Sequence, residues 1–299
     1  MFLSFFSDLF NQDFMLRALI AGILLGVIAP LIGSIVVIRR LTFIADTLGH
    51  FSLVGISISF FLTYSYGWTI FSDRPQYLAI VFSIIGGLLI ELFRRYYKNY
   101  KEIAMAIVIS LGAAASAIFF SLSKRTGSLY NYLFGSILTV TDYYVVLIAI
   151  TAAIVFILFA LFGRQIISVS FEEGNAKFFG INLGLFQLVF IIVLSIVVSI
   201  LLESVGVLLS SAMMIIPIAA SMKIGWSYRS TTIIAILFSE FSVFLGLWMA
   251  YSFNIPSGAA IVSVNIIILI IVSIIKRIIL KRTLKNAPQL AVADNKETL

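Results

Sequence analysis

Phe14-Met-Leu-Arg17-Ala-Leu-Ile-Ala-Gly22-Ile-Leu-Leu-Gly26-Val-Ile-Ala-Pro30-Leu-Ile-Gly-Ser-Ile-Val-Val-Ile38 is followed at once by Arg39-Arg40. Its 25 residues hold a single charge, Arg17. As a helix rising about 1.5 Å per residue, the run covers ~37 Å, enough to cross a hydrocarbon core of roughly 30 Å. Similar long apolar runs recur, most of them closed by basic residues, at about 41–66, 77–93, 103–122, 143–163, 183–202, 205–222, 231–251 and 257–275. The run 205–222 is short, rich in small residues and interrupted by Pro217, and only Glu203 and Ser204 part it from the run before. The pattern predicts an all-α, polytopic transmembrane helical bundle of eight or nine spans.

Hydrophobic residues make up 62% of the 299 residues and charged ones 11%, against roughly 45–50% and about 25% in soluble domains. Those proportions exclude a soluble enzyme, a disordered chain and a fibrous protein. Cysteine is absent, which excludes disulfides, thiolate metal sites and iron–sulfur clusters. The first 14 residues carry Asp8 and Asp13 and no basic residue, unlike a cleaved signal peptide. The formal charge is +7, but the basic residues sit between apolar runs, which points to membrane topology and not to nucleic acid. If all nine runs cross and the N-terminus is outside, 16 of the 20 Lys and Arg face the cytoplasm, and only Arg17, Arg74, Lys124 and Arg125 stay outside. The charge rule therefore predicts an outer N-terminus and a cytoplasmic C-terminus. Residues 1–285 read as one transmembrane domain and 286–299 as a polar, flexible cytoplasmic tail.

The stretch Arg39-Arg40-Leu-Thr-Phe-Ile-Ala-Asp46-Thr-Leu-Gly-His50-Phe-Ser-Leu-Val-Gly55 carries the chemistry. Asp46 and His50 are four residues apart and share a helix face. His50, the only histidine, lies ten residues beyond Arg40, about 15 Å along a helix and so near the bilayer midplane. Ionisable groups at that depth are costly, and they usually mark a pathway. A carboxylate and a neutral imidazole are ligands for divalent zinc or manganese. Two copies about a two-fold axis would supply an Asp2His2 set. On the residues alone three readings stay open: cation passage, a proton relay, and a hydrogen-bonded pair that fixes packing. Glu240, inside the eighth run, is a candidate second pathway residue, and Glu203, at a span end, a weaker one. Asn265, in the ninth run, suits an interhelical hydrogen bond.

The polar connector Ser168-Val-Ser170-Phe171-Glu172-Glu173-Gly-Asn-Ala176-Lys-Phe-Phe-Gly180-Ile-Asn182 suggests a short amphipathic helix. Ser170 and Glu173 match a capping box, and Gly180 matches a helix stop. A helix of this kind on the cytoplasmic face suits a partner's groove. No Gly-rich phosphate loop followed by Lys-Ser/Thr occurs in the chain, so ATP that drives transport must be bound by another chain.

In order along the chain come Arg39-Arg40 … Asp46-Thr-Leu-Gly-His50 … Leu53-Val-Gly55 and Tyr132-Leu-Phe-Gly135-Ser-Ile-Leu138. The connector ending Ala176 … Gly180 follows, then Val205-Gly-Val-Leu-Leu209 … Ile216-Pro217-Ile-Ala-Ala220 and Ile255-Pro256-Ser-Gly258-Ala. This ordered set resembles the membrane permease subunits of ABC-type zinc and manganese importers, over nearly the whole chain. The resemblance implies a homodimeric or pseudo-dimeric core in a bacterial cytoplasmic membrane. It implies a transport subunit, not an enzyme, that holds no permanent cofactor. Its partners would be a cytoplasmic ATP-binding subunit, docked on the connector at Phe171, Glu172, Glu173, Ala176 and Gly180, and an extracytoplasmic metal-binding protein. Asp46 and His50 map onto the family's metal-coordinating pair. Two departures stand out: Phe171-Glu172-Glu173 replaces the usual Asp-Pro-Glu, and Gly49 replaces the Ser before His50. The Asp-Thr-Leu wording resembles the zinc branch more than the manganese branch. The rival readings are an ABC permease for an iron chelate or vitamin, a proton-coupled secondary carrier and an intramembrane metalloenzyme.

Overall fold

The computed structural model describes residues 9, 11–68, 73–97, 100–172, 174, 176 and 178–294. Among the described residues there is no β-strand. The helices are α1 (Asp13–Ile38), α2 (Thr42–Tyr66), α3 (Gln76–Tyr96), α4 (Lys101–Leu122), α5 (Thr126–Phe134), α6 (Asp142–Phe171), α7 (Leu183–Val205), α8 (Val207–Ser221), α9 (Tyr228–Phe253) and α10 (Ser257–Asp294). A 3-10 turn occupies Ile137–Thr139. Eight helices are long and apolar enough to cross a bilayer. The two that are not are α5, with 9 residues, and α8, with 15. At about 1.5 Å per residue α8 extends only ~22 Å. Among the described residues the eight-or-nine alternative thus becomes eight helices of span length and one short apolar helix packed among them.

The apolar runs become helices because a backbone in lipid must satisfy its hydrogen bonds internally. Helix ends are set locally. Arg40 adopts a φ of 55° between α1 and α2. The Asn182 side chain accepts the N–H groups of Gly184 and Leu185 to open α7, and Ser227 accepts from Ser230 to open α9. Pro217 sits inside α8 and does not interrupt it. The break falls at Gly206, with a φ of 92°, and α7 continues through Glu203 and Ser204 to Val205.

Two features differ from the sequence reading. α6 runs on past residue 163 to Phe171, with no proline to stop it and with Val169 buried. Ser170 therefore lies in the last turn of α6, where its hydroxyl donates to the Ile166 carbonyl; it does not cap a new helix. α5 follows Lys124 and Arg125 and is too short to register as a span. α10 extends to Asp294.

α2 is the most enclosed of the eight spans. It packs on α3, α4, α7 and α8, while α1 packs on α6, α8 and α9, and α9 pairs with α10. α8 touches α1, α2, α5, α7, α9 and α10, and so joins the two groups of helices. Gly55 lets α2 lie directly on the backbone of α3, because a Cβ there would come within 2.5 Å of the Leu78 carbonyl carbon.

Side-chain contacts define two ends of the bundle. At one, Arg17 of α1 pairs with Asp142 of α6 at 2.9 Å, and Gln76 of α3 accepts from Tyr144. At the other, Ser34 of α1 shares a 2.8 Å hydroxyl contact with Tyr228 of α9, and Arg39 lies over the rings of Phe186 and Phe190 of α7. These are called the Asp142 end and the Arg39 end below. Ala220 of α8 packs with Val264, Ile268 and Val272, so α10 runs from the Asp142 end towards the Arg39 end. α1 begins and α10 finishes at opposite ends.

Candidate metal site

Although α2 is enclosed, Asp46 and His50 are each only half-buried on it. The intervening residues turn inward. Thr47, Leu48 and Gly49 are buried; the Thr47 hydroxyl donates to the Phe43 carbonyl, and Gly49 faces Val198 and Val207. Helical spacing thus aims the pair at one open strip. α4 flanks that strip closely, since a Cβ on Gly112 would sit 3.2 Å from the His50 Cβ. His50 Nδ1 is buried without a hydrogen-bond partner among the described residues. Among the same residues no group of three or more His, Cys, Asp or Glu gathers. The described residues therefore offer a pair of candidate ligands on a partly open surface. Phe43, one turn before Asp46, and Leu111, beside Gly112, are exposed there.

The two other carboxylates lie elsewhere. Glu240 is on α9, which packs on α1, α8 and α10. Its Oε1 is buried and unpartnered, 2.5 Å from where a Cβ on Gly26 of α1 would be. Nearby, Asn265 accepts a hydrogen bond from Ser242 at 2.9 Å, the interhelical contact expected of it. Glu203 lines a cavity of about 550 Å³ at the Asp142 end, together with Arg125, Tyr132 and Tyr144. Burial, and then the Glu203 carboxylate, holds the Tyr132 phenol above its ordinary pKa, so it remains a neutral O–H donor.

Residues 11–276 match the ABC 3 transport family. The chain belongs to the ABC 3 transport family. It is similar to the manganese transport system membrane protein MntC of Listeria monocytogenes, at 30% identity over 89% of this chain and 92% of that protein. It is also similar to the manganese import system permease protein ScaB of Streptococcus gordonii, at 27% identity over 94% of this chain and 99% of that one. Its fold matches the solved structure of PsaBC from Streptococcus pneumoniae in complex with Fab, with a TM-score of 0.79 and 27% identity over 91% of this chain and 95% of that chain. As an ABC 3 chain it is a permease, a transport subunit, and a multi-pass protein of the bacterial cytoplasmic membrane.

The remaining motifs of this ABC 3 permease are brought together or set in place by the fold. Gly135, Gly206 and Gly258, far apart in sequence, meet backbone to backbone: a Cβ on Gly206 would lie 2.4 Å from the Leu133 carbonyl oxygen, and one on Gly258 2.4 Å from that of Val205. The Ile137 N–H donates to the Ser257 hydroxyl across the same junction at 2.7 Å. In the connector, Phe171 is exposed with its ring against Tyr228, and Glu172 is exposed. Glu173 lies outside the described residues. Ala176 is fully buried within its own chain. Gly180, with a φ of 63°, closes a turn in which the Ile181 N–H returns to the Ala176 carbonyl. The sequence reading passed over Phe178 and Trp226, which are 88% and 89% exposed. A large aromatic inside a polar connector was the available signal for Phe178.

Proposed function

We propose that this ABC 3 permease carries a divalent metal ion, zinc or manganese, into the cytoplasm by alternating access, powered by a separate ATP-binding chain. The observation that carries this reading is the Asp46–His50 pair, half-open on an otherwise enclosed helix, with a buried ring nitrogen that has no hydrogen-bond partner among the described residues. Neutral imidazole and carboxylate together suit a divalent first-row ion. Because the described residues of one chain gather only two such groups, a second copy about a two-fold axis would complete four ligands, and the homodimer follows from that need. Asp46 and His50 hold the ion near mid-membrane, weakly enough to release it.

Orientation follows from charge. Arg17, Arg74, Lys124 and Arg125 belong to the Asp142 end, and Arg39, Arg40, Arg94, Arg95, Lys223 and Arg229, at the other ends of their helices, to the opposite one. The Arg39 end is cytoplasmic on the positive-inside rule, and the N-terminus is outside. The ATP-binding partner docks at that end on the connector, where Phe171, Glu172 and Phe178 are open and Ala176 anchors the segment to the bundle. An extracytoplasmic metal-binding protein delivers the ion at the Asp142 end. Residues 1–285 form the permease domain and 286–299 the cytoplasmic tail. The Asp-Thr-Leu wording favours zinc, and the names of the curated relatives favour manganese.

Total cell metal, measured by elemental mass spectrometry in metal-limited cells with and without the chain, tests the reading and names the ion. Loss of one metal in the deletion, restored by the native chain but not by Asp46→Asn or His50→Ala, is the expected result. Full restoration by both variants would overturn the ligand assignment and favour a chelate permease. Uptake driven by a proton gradient without the ATPase would favour a relay.

A further inference from the structure

The cavity of about 550 Å³ at the Asp142 end is not part of the Asp46–His50 site. Its lining includes the oxygen-bearing side chains of Glu203, Asn131, Tyr132 and Tyr144, beside Arg125, Phe60 and Val140. A divalent ion with six waters, each about 30 Å³, needs ~200 Å³, so the cavity admits the ion with its hydration shell. An all-oxygen set holds such an ion as a hard, hydrated cation, whereas the imidazole of His50 takes it as a partly dehydrated one.

Glu203 is held ready for this task. It is half-buried and shares the cavity lining with Tyr144. Tyr144 in turn contacts Gln76 at 2.9 Å, whose Nε2 is buried without a partner. Among the described residues no ion pair neutralises Glu203. Arg125 shares the cavity but stacks over Phe60, 4.8 Å from the ring centroid. Its positive charge keeps cation binding weak, as a transient site requires.

The cavity and the metal pair are connected by one helix face and separated by apolar packing. Asp46, His50, Leu53 and Phe60 follow one another along α2 at helical spacing, and Phe60 lines the cavity. Leu53, Ile56, Phe60, Phe120, Leu202 and Val207 form one buried cluster across that route. Val207 also reaches Gly49, next to His50.

We propose that Glu203 is a cation-holding site in an outer vestibule, where a hydrated divalent ion waits until the Leu53–Leu202–Val207 packing parts and admits it to Asp46 and His50. This rests on the reading of the chain as a metal permease. The test uses the full permease–ATPase complex in nanodiscs, with Mn2+ as the probe, followed by electron paramagnetic resonance, and reconstituted uptake. The doubly substituted Asp46→Asn/His50→Ala complex should retain a weak Mn2+ site, and adding Glu203→Gln should abolish it. Glu203→Gln alone should raise the KM of uptake about 10- to 100-fold, the range for losing a charged ligand contact, and leave kcat within about two-fold. Tyr144→Phe should move KM in the same direction by a smaller factor, and Glu203→Asp should restore part of it. Recovery of each variant as an intact complex with the ATPase shows that it folds. An unchanged KM in Glu203→Gln, or no residual Mn2+ in the doubly substituted complex, overturns the vestibule site and leaves the transport reading standing. Normal uptake by Asp46→Asn/His50→Ala overturns the transport reading and the vestibule with it.

Discussion

Four glycine-to-alanine substitutions separate the two physical demands that this fold places on glycine. Gly206 combines a φ of 92° with a would-be Cβ 2.4 Å from the Leu133 carbonyl oxygen, 0.6 Å inside the 3.0 Å that real Cβ atoms respect. Gly258 has only the steric demand, 2.4 Å from the Val205 carbonyl oxygen. Gly67, which ends α2, has only the conformational one, with a φ of 70° and open space around it. Gly163, inside α6, has neither. A left-handed backbone costs an L-residue about 1–2 kcal/mol, and overpacking costs about 1–3 kcal/mol. Gly206→Ala is therefore expected to lose about 2–5 kcal/mol, the sum of both terms. Gly258→Ala should lose about 1–3 kcal/mol and Gly67→Ala about 1–2 kcal/mol. Gly163→Ala should be neutral or gain up to about 1 kcal/mol from helix propensity. Thermal unfolding of the detergent-solubilised permease–ATPase complex, read by tryptophan fluorescence, should rank the midpoints Gly163→Ala, Gly67→Ala, Gly258→Ala, Gly206→Ala from highest to lowest. The neighbours of Gly206 are backbone atoms, which cannot rotate away as a side chain can. A Gly206→Ala complex as stable as Gly67→Ala would refute the close approach of α7, α5 and α10.

Two further outcomes are expected. Phe178→Ala and Trp226→Ala should each weaken capture of the ATP-binding partner; burying such a side chain is worth about 1.5–3 kcal/mol, or roughly 10- to 100-fold in affinity. Pull-down with the purified partner checks this, and unchanged capture assigns both rings to the lipid interface instead. Asn182→Ala removes the acceptor of the Gly184 and Leu185 N–H groups. It should cost about 1 kcal/mol, seen as faster amide exchange confined to the first turn of α7, with Asn182→Asp protecting that turn.

Much of the protein was legible in residue order because lipid acts on each segment separately. An apolar run of span length must become a helix wherever it sits, since its backbone has no water to bond. The same locality holds for Asp46 and His50: four residues on a helix place two groups on one face whatever the neighbours do. The connector was less legible. Ser170 had the chemistry of a cap, but the apolar continuation of α6 won, and Ala176 was drawn into the bundle while Phe178 was left out.

What the sequence by itself determined is the membrane-spanning all-helical character, the apolar runs that become the spans, and the pairing of Asp46 with His50 on one helix face. Only the tertiary structure decided the rest. It made 207–221 a short central helix and moved its break from Pro217 to Gly206. It set Glu240 against Gly26, away from α2, and gave Glu203 a cavity of its own. The physical reason is range. Helix formation in lipid is settled within one turn and its solvent, whereas the meeting of Gly135, Gly206 and Gly258 depends on three backbones from distant parts of the chain finding contact that no side chain obstructs.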